Sequence, residues 1–217
     1  MPEITLYGVA VSAFVAKVRI ALDAKGLAYA EAPPPDGYGS LAYRAIVPAG
    51  SVPGAVIDGR PLSDSNAIIE YLEDLQPAPA LFPADAYERA RARALLGFHD
   101  ARVEAAARTL FPVVKGDWRA DRAAVEAGVG AVETALARLT DMIAPAPFIF
   151  GVAPTIADMA FPVTLQMAGM LGAELERPLV APPEIHEWRR ATSEIPAVAR
   201  SLKISGEAME TWLAGFR

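Results

Sequence analysis

The segment Gln-Pro-Ala-Pro-Ala-Leu-Phe-Pro-Ala-Asp-Ala-Tyr at 76–87 divides the chain into two parts whose apolar residues repeat with different periods. Its prolines lack the N–H that a helix or sheet ladder needs, so neither kind of element runs through it. Before it, residues 3–7 alternate like a short strand and 8–12 read as a loop. Phe14, Val18, Ala21 and Leu22 then recur at helical spacing from Ala13 to Lys25, and Gly26 marks the helix end. Residues 27–32 suit a second strand, and Pro-Pro-Pro-Asp-Gly-Tyr-Gly at 33–39 suits only a loop. Ala55 to Ile57, the turn Asp58-Gly59 and Arg60 to Leu62 read as a hairpin. From Ser63 a helix follows with Ile68, Ile69, Leu72 and Leu75 on one side, and it stops at Pro77.

After the break every pattern is helical. Residues 87–114 read as one long helix. Val125, Val129, Val132, Leu136, Leu139 and Ile143 form one stripe across a helix over 120–144. Further helices are predicted over 155–171 and 183–202, with a short one closing the chain. The sequence therefore predicts an α/β domain over 1–76, a linker over 77–87 and an all-α domain over 88–217. A chain of 217 residues buries roughly 70% of its unfolded surface, enough for a core without staples.

Composition removes several classes of function. The chain has no cysteine, which excludes disulfides, thiolate metal sites and redox chemistry on a protein thiol. The two histidines, His99 and His186, lie far apart, so no metal is predicted. A net charge of −6 argues against a nucleic-acid partner, whose binders need a basic face. The N-terminal Met-Pro-Glu-Ile-Thr-Leu-Tyr-Gly has neither the basic nor the apolar region of a secretory signal. The most apolar stretch, Phe148 to Leu171, is interrupted by Pro154, Asp158, Pro162 and Gln166. It suits a buried core helix better than a membrane span of about 20 apolar residues.

Four local patterns bear on chemistry. Ser12 stands where a helix begins directly after a strand and loop. The helix end carries about half a positive charge and unpaired N–H groups, so an anion is favoured there and a hydroxyl can donate to it. Serine is also one of the best plain N-caps, and the position alone leaves both roles open. Gly50-Ser51-Val52-Pro53 enters the third strand. A cis Val52-Pro53 bond would turn the Val52 N–H and C=O outward for a peptide-like ligand, whereas a trans bond would simply start an edge strand. Asp64-Ser65-Asn66 caps the next helix and offers N–H groups and a hydroxyl to a carboxylate, with Asp64 as acceptor for an ammonium. Thr155-Ile156-Ala157-Asp158 is a capping box with aspartate in the last place.

Taken in order, S-x-F-x-x-K-V-R at 12–19, G-x-V-P at 50–53, D-S-x-A-I at 64–68 and T-I-A-D at 155–158 resemble the cytosolic glutathione transferase family across essentially the whole chain. The resemblance is to its serine-type classes. It implies a thioredoxin-like N-terminal domain followed by an all-α helical bundle domain, with glutathione as co-substrate and no metal. It further implies a cytoplasmic homodimer without membrane or nucleic-acid partners, conjugating glutathione to small hydrophobic electrophiles. Ser12 falls on the catalytic serine that favours the glutathione thiolate. Val52 falls on the residue whose backbone pairs with the cysteinyl part, Pro53 on the cis-proline, and Asp64 and Ser65 on the pair that holds the γ-glutamyl end. Tyr7 is the alternative sulfur donor, since some classes use a tyrosine at the end of the first strand. Phe14, Arg108 and Phe111 are candidate contacts of the second substrate, expected between the 8–14 loop and the 87–114 helix. Ala13, Val47 and Ser51 depart from the proline, asparagine and lysine common in the family. The loss of that lysine leaves the glycyl carboxylate without its usual cation. A binding protein without turnover and a glutathione-dependent isomerase are the alternative readings.

Overall fold

A computed structural model describes residues 2–217, which form two compact units, one reaching to Leu81 and the other running from Phe82 to Arg217. The first contains β1 (Ile4–Tyr7), α1 (Ala13–Ala24), β2 (Ala30–Ala32), α2 (Leu41–Arg44), β3 (Gly54–Ile57), β4 (Arg60–Ser63) and α3 (Ser65–Leu75). The strands form one sheet in the order β2-β1-β3-β4. β1 pairs parallel with β2 across the α1 crossover and antiparallel with β3, and β4 closes the sheet as the second arm of a hairpin. Alternation places Ile4, Leu6, Ala55 and Ile57 in the core, where they meet Val15, Val18 and Leu22 of α1 and Ile68, Ile69 and Leu72 of α3.

Three cations, Lys17, Arg19 and Lys25, lie inside this unit, and the last two are paired with carboxylates. Arg19 is fully buried and grips Glu31 of β2 through Nε–H (2.9 Å) and Nη2–H (2.6 Å). Lys25, at the end of α1, donates from Nζ to Glu73 Oε2 of α3 (2.7 Å), Gln76 O (2.6 Å) and Pro79 O (2.9 Å). The same Glu73 oxygen accepts the Leu81 N–H at 3.0 Å. One buried ion pair thus clasps the ends of both helices and pins residues 76–81 against them.

The second unit is helical throughout. The stretch read as one helix over 87–114 is divided into α4 (Ala86–Phe98), a π-helical turn (His99–Glu104), α5 (Ala105–Arg108) and α6 (Leu110–Lys115). The wider turn accommodates a buried polar chain: His99 Nδ1 meets Asp100 Oδ1 (2.7 Å), His99 Nε2 meets Thr164 Oγ1 (2.9 Å), and Thr164 donates to Glu104 Oε2 (2.8 Å). Pro112 removes a further helical hydrogen bond beyond it. α7 (Arg122–Thr140) buries Val125, Val129, Val132, Leu136 and Leu139 as the stripe requires, whereas Ile143 lies past the helix end in the turn before Pro145. The next stretch comprises α8 (Ile156–Met159) and α9 (Phe161–Glu174). Residues Ile156–Glu174 are long and apolar enough to cross a membrane by length and composition, but 78% of their apolar window is buried in this unit. The pattern over 183–202 resolves into α10 (Pro183–Ser193) and α11 (Pro196–Ala214). Pro196 ends the first, because it disfavours a helical residue before it, and α11 then runs on in place of a separate short helix.

The capping box is present, and its aspartate does more than cap. Fully buried Asp158 accepts from Ile149 N (2.8 Å), Thr155 N (2.9 Å), Thr155 Oγ1 (3.1 Å) and Trp188 Nε1 (3.0 Å). It joins the 141–155 loop, α8 and α10 through one carboxylate. In the first unit, Lys25→Met would leave Glu73 charged, buried and without its cation. It should destabilise the protein by about 3–5 kcal/mol, read as a lower urea midpoint against wild type.

Candidate functional site

Strand register gathers the residues singled out in the first unit. Tyr7, the last residue of β1, lies opposite Gly54, the first of β3, and Gly54 lies opposite Ser63, the last of β4. The loop to Ser12, the segment Ser51–Pro53 and the turn Asp64–Ser65 therefore leave the sheet at the same end. Three groups far apart in sequence become neighbours by antiparallel pairing alone.

Ser12 is the N-cap of α1, and its Oγ accepts the Val15 N–H at 3.4 Å. That bond uses a lone pair and leaves the hydroxyl proton without an acceptor among the described residues. The Ala13 N–H, in the first turn, is likewise without an acceptor among the described residues. A half-exposed hydroxyl donor thus stands at the positive end of a twelve-residue helix.

The Val52-Pro53 peptide is cis. Val52 precedes β3, and neither its N–H nor its C=O is hydrogen-bonded among the described residues. This donor and acceptor pair on extended backbone is what an extended peptide can join. The ledge is held from behind: the Tyr43 hydroxyl donates to Ser51 O at 3.0 Å, and the Tyr43 ring packs on Tyr7 with centroids 5.7 Å apart. Burial pushes the Tyr43 phenol up to about 12, with the Tyr7 phenol adding a smaller push. Gly54 is obligatory here, because a Cβ would overlap the Tyr43 hydroxyl.

Asp64 adopts φ 73° and caps α3 by accepting from Asn66 N (2.9 Å) and Ala67 N (3.0 Å). An aspartate at positive φ stores backbone strain of order 1–3 kcal/mol, held in place by those two bonds. Ser65 is buried with its hydroxyl unbonded among the described residues, and Lys17 Nζ reaches from α1 to Asn66 Oδ1 at 2.8 Å. Phe14 is half-exposed on α1 in this first unit. Arg108, exposed at the end of α5, and Phe111, edge-on to Trp212 at 4.8 Å, belong to the second unit.

Two residues of this end of the sheet escaped the sequence reading. Tyr43 and Arg44 lie on α2, in a stretch to which the sequence assigned no helix or strand. Ser40 caps that helix by accepting the Tyr43 N–H at 3.0 Å, and a serine three residues ahead of a tyrosine was the available signal. The Arg44 stem lies against Gly50, where a Cβ would fall 3.0 Å from Arg44 Cγ and 3.1 Å from Nε. Gly50 has φ 66°. Arg44 is exposed and makes no ion pair among the described residues.

A four-stranded mixed sheet with helices packed on it, carrying a helix-end hydroxyl beside a cis-proline ledge and followed in the chain by an all-helical unit, defines a thioredoxin-like domain joined to a helical domain. The glutathione S-transferase N-terminal domain pattern matches residues 6–80 and the corresponding C-terminal domain pattern matches residues 122–191. The chain belongs to the cytosolic glutathione transferase family. It is 31% identical over 182 residues to a glutathione S-transferase of Pseudomonas putida, covering 78% of this chain and 77% of that one. It is 34% identical over 167 residues to a maleylacetoacetate isomerase of Pseudomonas aeruginosa, covering 74% and 79%. The theta class glutathione S-transferase of Xanthomonas axonopodis pv. citri, solved with glutathione bound, superposes with a TM-score of 0.74 at 29% identity, covering 93% of this chain and 98% of that one.

The raised Tyr43 phenol has a testable consequence. Its folded form holds the proton above the ordinary tyrosine range, so its contribution to stability is complete below about pH 10 and declines as pH rises towards about 12. Chemical unfolding across that window should show a steeper loss for wild type than for Tyr43→Phe.

Proposed function

We propose that the protein binds glutathione along this end of the sheet and activates its sulfur with the Ser12 hydroxyl. The observation that carries the reading is the pairing of an uncommitted hydroxyl proton at the start of α1 with the uncommitted backbone of Val52 beside cis Pro53. Val52 would pair with the cysteinyl residue as an added strand. Asp64 would take the γ-glutamyl ammonium, and Ser65 with the first turn of α3 its carboxylate. The thiol, about 8.5 when free, would then sit at a helix N-terminus facing a hydroxyl donor, and both favour thiolate. The thiol proton passes to solvent and the thiolate attacks an electrophilic carbon, forming a C–S bond. Either the leaving group departs with its bonding pair or, on addition to a double bond, the neighbouring carbon takes up a proton.

The same intermediate supports a second reading, favoured by the likeness to the Pseudomonas aeruginosa isomerase. A thiolate that adds to a conjugated double bond permits rotation about the former double bond. Expulsion of the sulfur then returns glutathione unchanged. Conjugation consumes glutathione and isomerisation does not, so quantifying free thiol before and after turnover separates them.

Ser12→Ala should lower kcat/KM by about 100-fold, the scale for losing one aligned donor to a developing anion. It should also raise the apparent pKa of the bound thiol, read from the ultraviolet absorbance of the thiolate as pH is varied. Tyr7→Phe should change both little; the reverse pattern would transfer the role to Tyr7.

Arg44 is the proposed holder of the glycyl carboxylate in place of the lysine that Ser51 replaces. Arg44→Gln should raise the KM for glutathione about tenfold, equivalent to roughly 1.4 kcal/mol, with kcat nearly unchanged. γ-Glutamylcysteine, which lacks the glycine, should be indifferent to the substitution.

A further inference from the structure

Several arginines of the second unit find a carboxylate. Arg177 bonds Glu126 (2.9 Å) and Glu133 (2.7 Å), and Arg217 bonds Glu174 (2.7 Å). Arg189, on α10, does not. Its guanidinium is half-buried and makes neither an ion pair nor a hydrogen bond among the described residues. Burial alone pulls its pKa below the usual arginine range, with no anion to offset it. Removing a cation from water without a counter-charge is unfavourable, so the site is electrostatically incomplete.

Arg189 also lies where two hollows meet. The smaller, about 50 Å³, has apolar walls in Leu165, Leu179 and Ile185. The larger, about 560 Å³ and open to solvent, is lined by Gln166, Met170, Ala173, Gly206 and Glu210 as well as Arg189. Gln166 is the second unfinished group: its Oε1 is buried without a partner, and its Nε2 has no acceptor among the described residues. Gly206 gives that carboxamide its room, since a Cβ there would come within 2.9 Å of Gln166 Nε2. Glu210, the one acid in the lining, has an oxygen 3.7 Å from the Arg217 guanidinium, which it shares with Glu174.

We propose that Arg189 anchors a small organic carboxylate with an apolar body. The guanidinium fork receives the carboxylate oxygens, the Gln166 carboxamide donates to one of them, and the body lies over Met170 and Ala173 in the larger hollow. A guanidinium is suited to this because its planar donors match both carboxylate oxygens at once. The apolar wall beside it selects against a bare inorganic anion.

Benzoate, its neutral isostere benzamide and inorganic sulfate, titrated calorimetrically into the intact protein with glutathione saturating, test the assignment. Wild type should bind benzoate at least ten times more tightly than either other probe. Arg189→Gln should abolish that preference, and Arg189→Lys, which keeps the charge and loses the fork, should fall between. Arg190→Gln, its exposed neighbour on α10, should bind as wild type does. The proposal is overturned if wild type does not bind benzoate, if Arg189→Gln binds it undiminished, or if sulfate binds as tightly. Removing an unpaired, half-buried charge should leave the unfolding midpoint of Arg189→Gln unchanged or raised, so lost binding is separable from lost folding.

Discussion

The antiparallel register of β1, β3 and β4 is the constraint on which the first unit's chemistry rests. Because Tyr7, Gly54 and Ser63 lie side by side, every segment that leaves those strands there enters the same space. The sheet does no chemistry itself. It converts three separate stretches of sequence into one surface. A slip of one residue in that pairing would turn each side chain to the opposite face. Such a slip would also undo the alignment of Tyr7, Gly54 and Ser63.

The same economy appears in how single polar groups serve several neighbours. Glu73 holds Lys25 and the Leu81 N–H, so the exit from the first unit is fastened to the helices that cover the sheet. Asp158 receives four hydrogen bonds from three residues of the second unit. Buried carboxylates are costly to desolvate and repay that only through the bonds they accept, as each of these does. Ser12 follows a related logic: its lone pair serves the helix while its proton remains available.

Much of this was legible in the sequence, and the failures have physical causes. Local signals sufficed for α1, the β3–β4 hairpin, α3 and the stripe on α7, because periodicity and caps are written within a few residues. The helix expected over 87–114 was misread where a π-helical turn intervenes. That turn is set by His99 reaching Thr164 on α9, a contact no local window contains. The α10–α11 break at Pro196 was readable from the proline but obscured by apolar spacing that ran across it. Among the site residues, those in motifs were identifiable from their order along the chain. Tyr43 and Arg44 were not, because their importance lies in reaching Ser51 and Gly50, and proline-rich sequence before them concealed the short helix that carries them.

A fold whose proposed task is to present sulfur to reactive carbon contains no sulfhydryl of its own. In the proposed reaction every such nucleophile would arrive with a dissociable tripeptide and leave with it. An alkylating compound that escapes productive turnover finds no thiol on the protein to cap, and oxidants have no pair of thiols to link. Under that proposed activity, resistance of the protein's own side chains to thiol-directed reagents is written into the composition, and the replaceable reactant would take the damage.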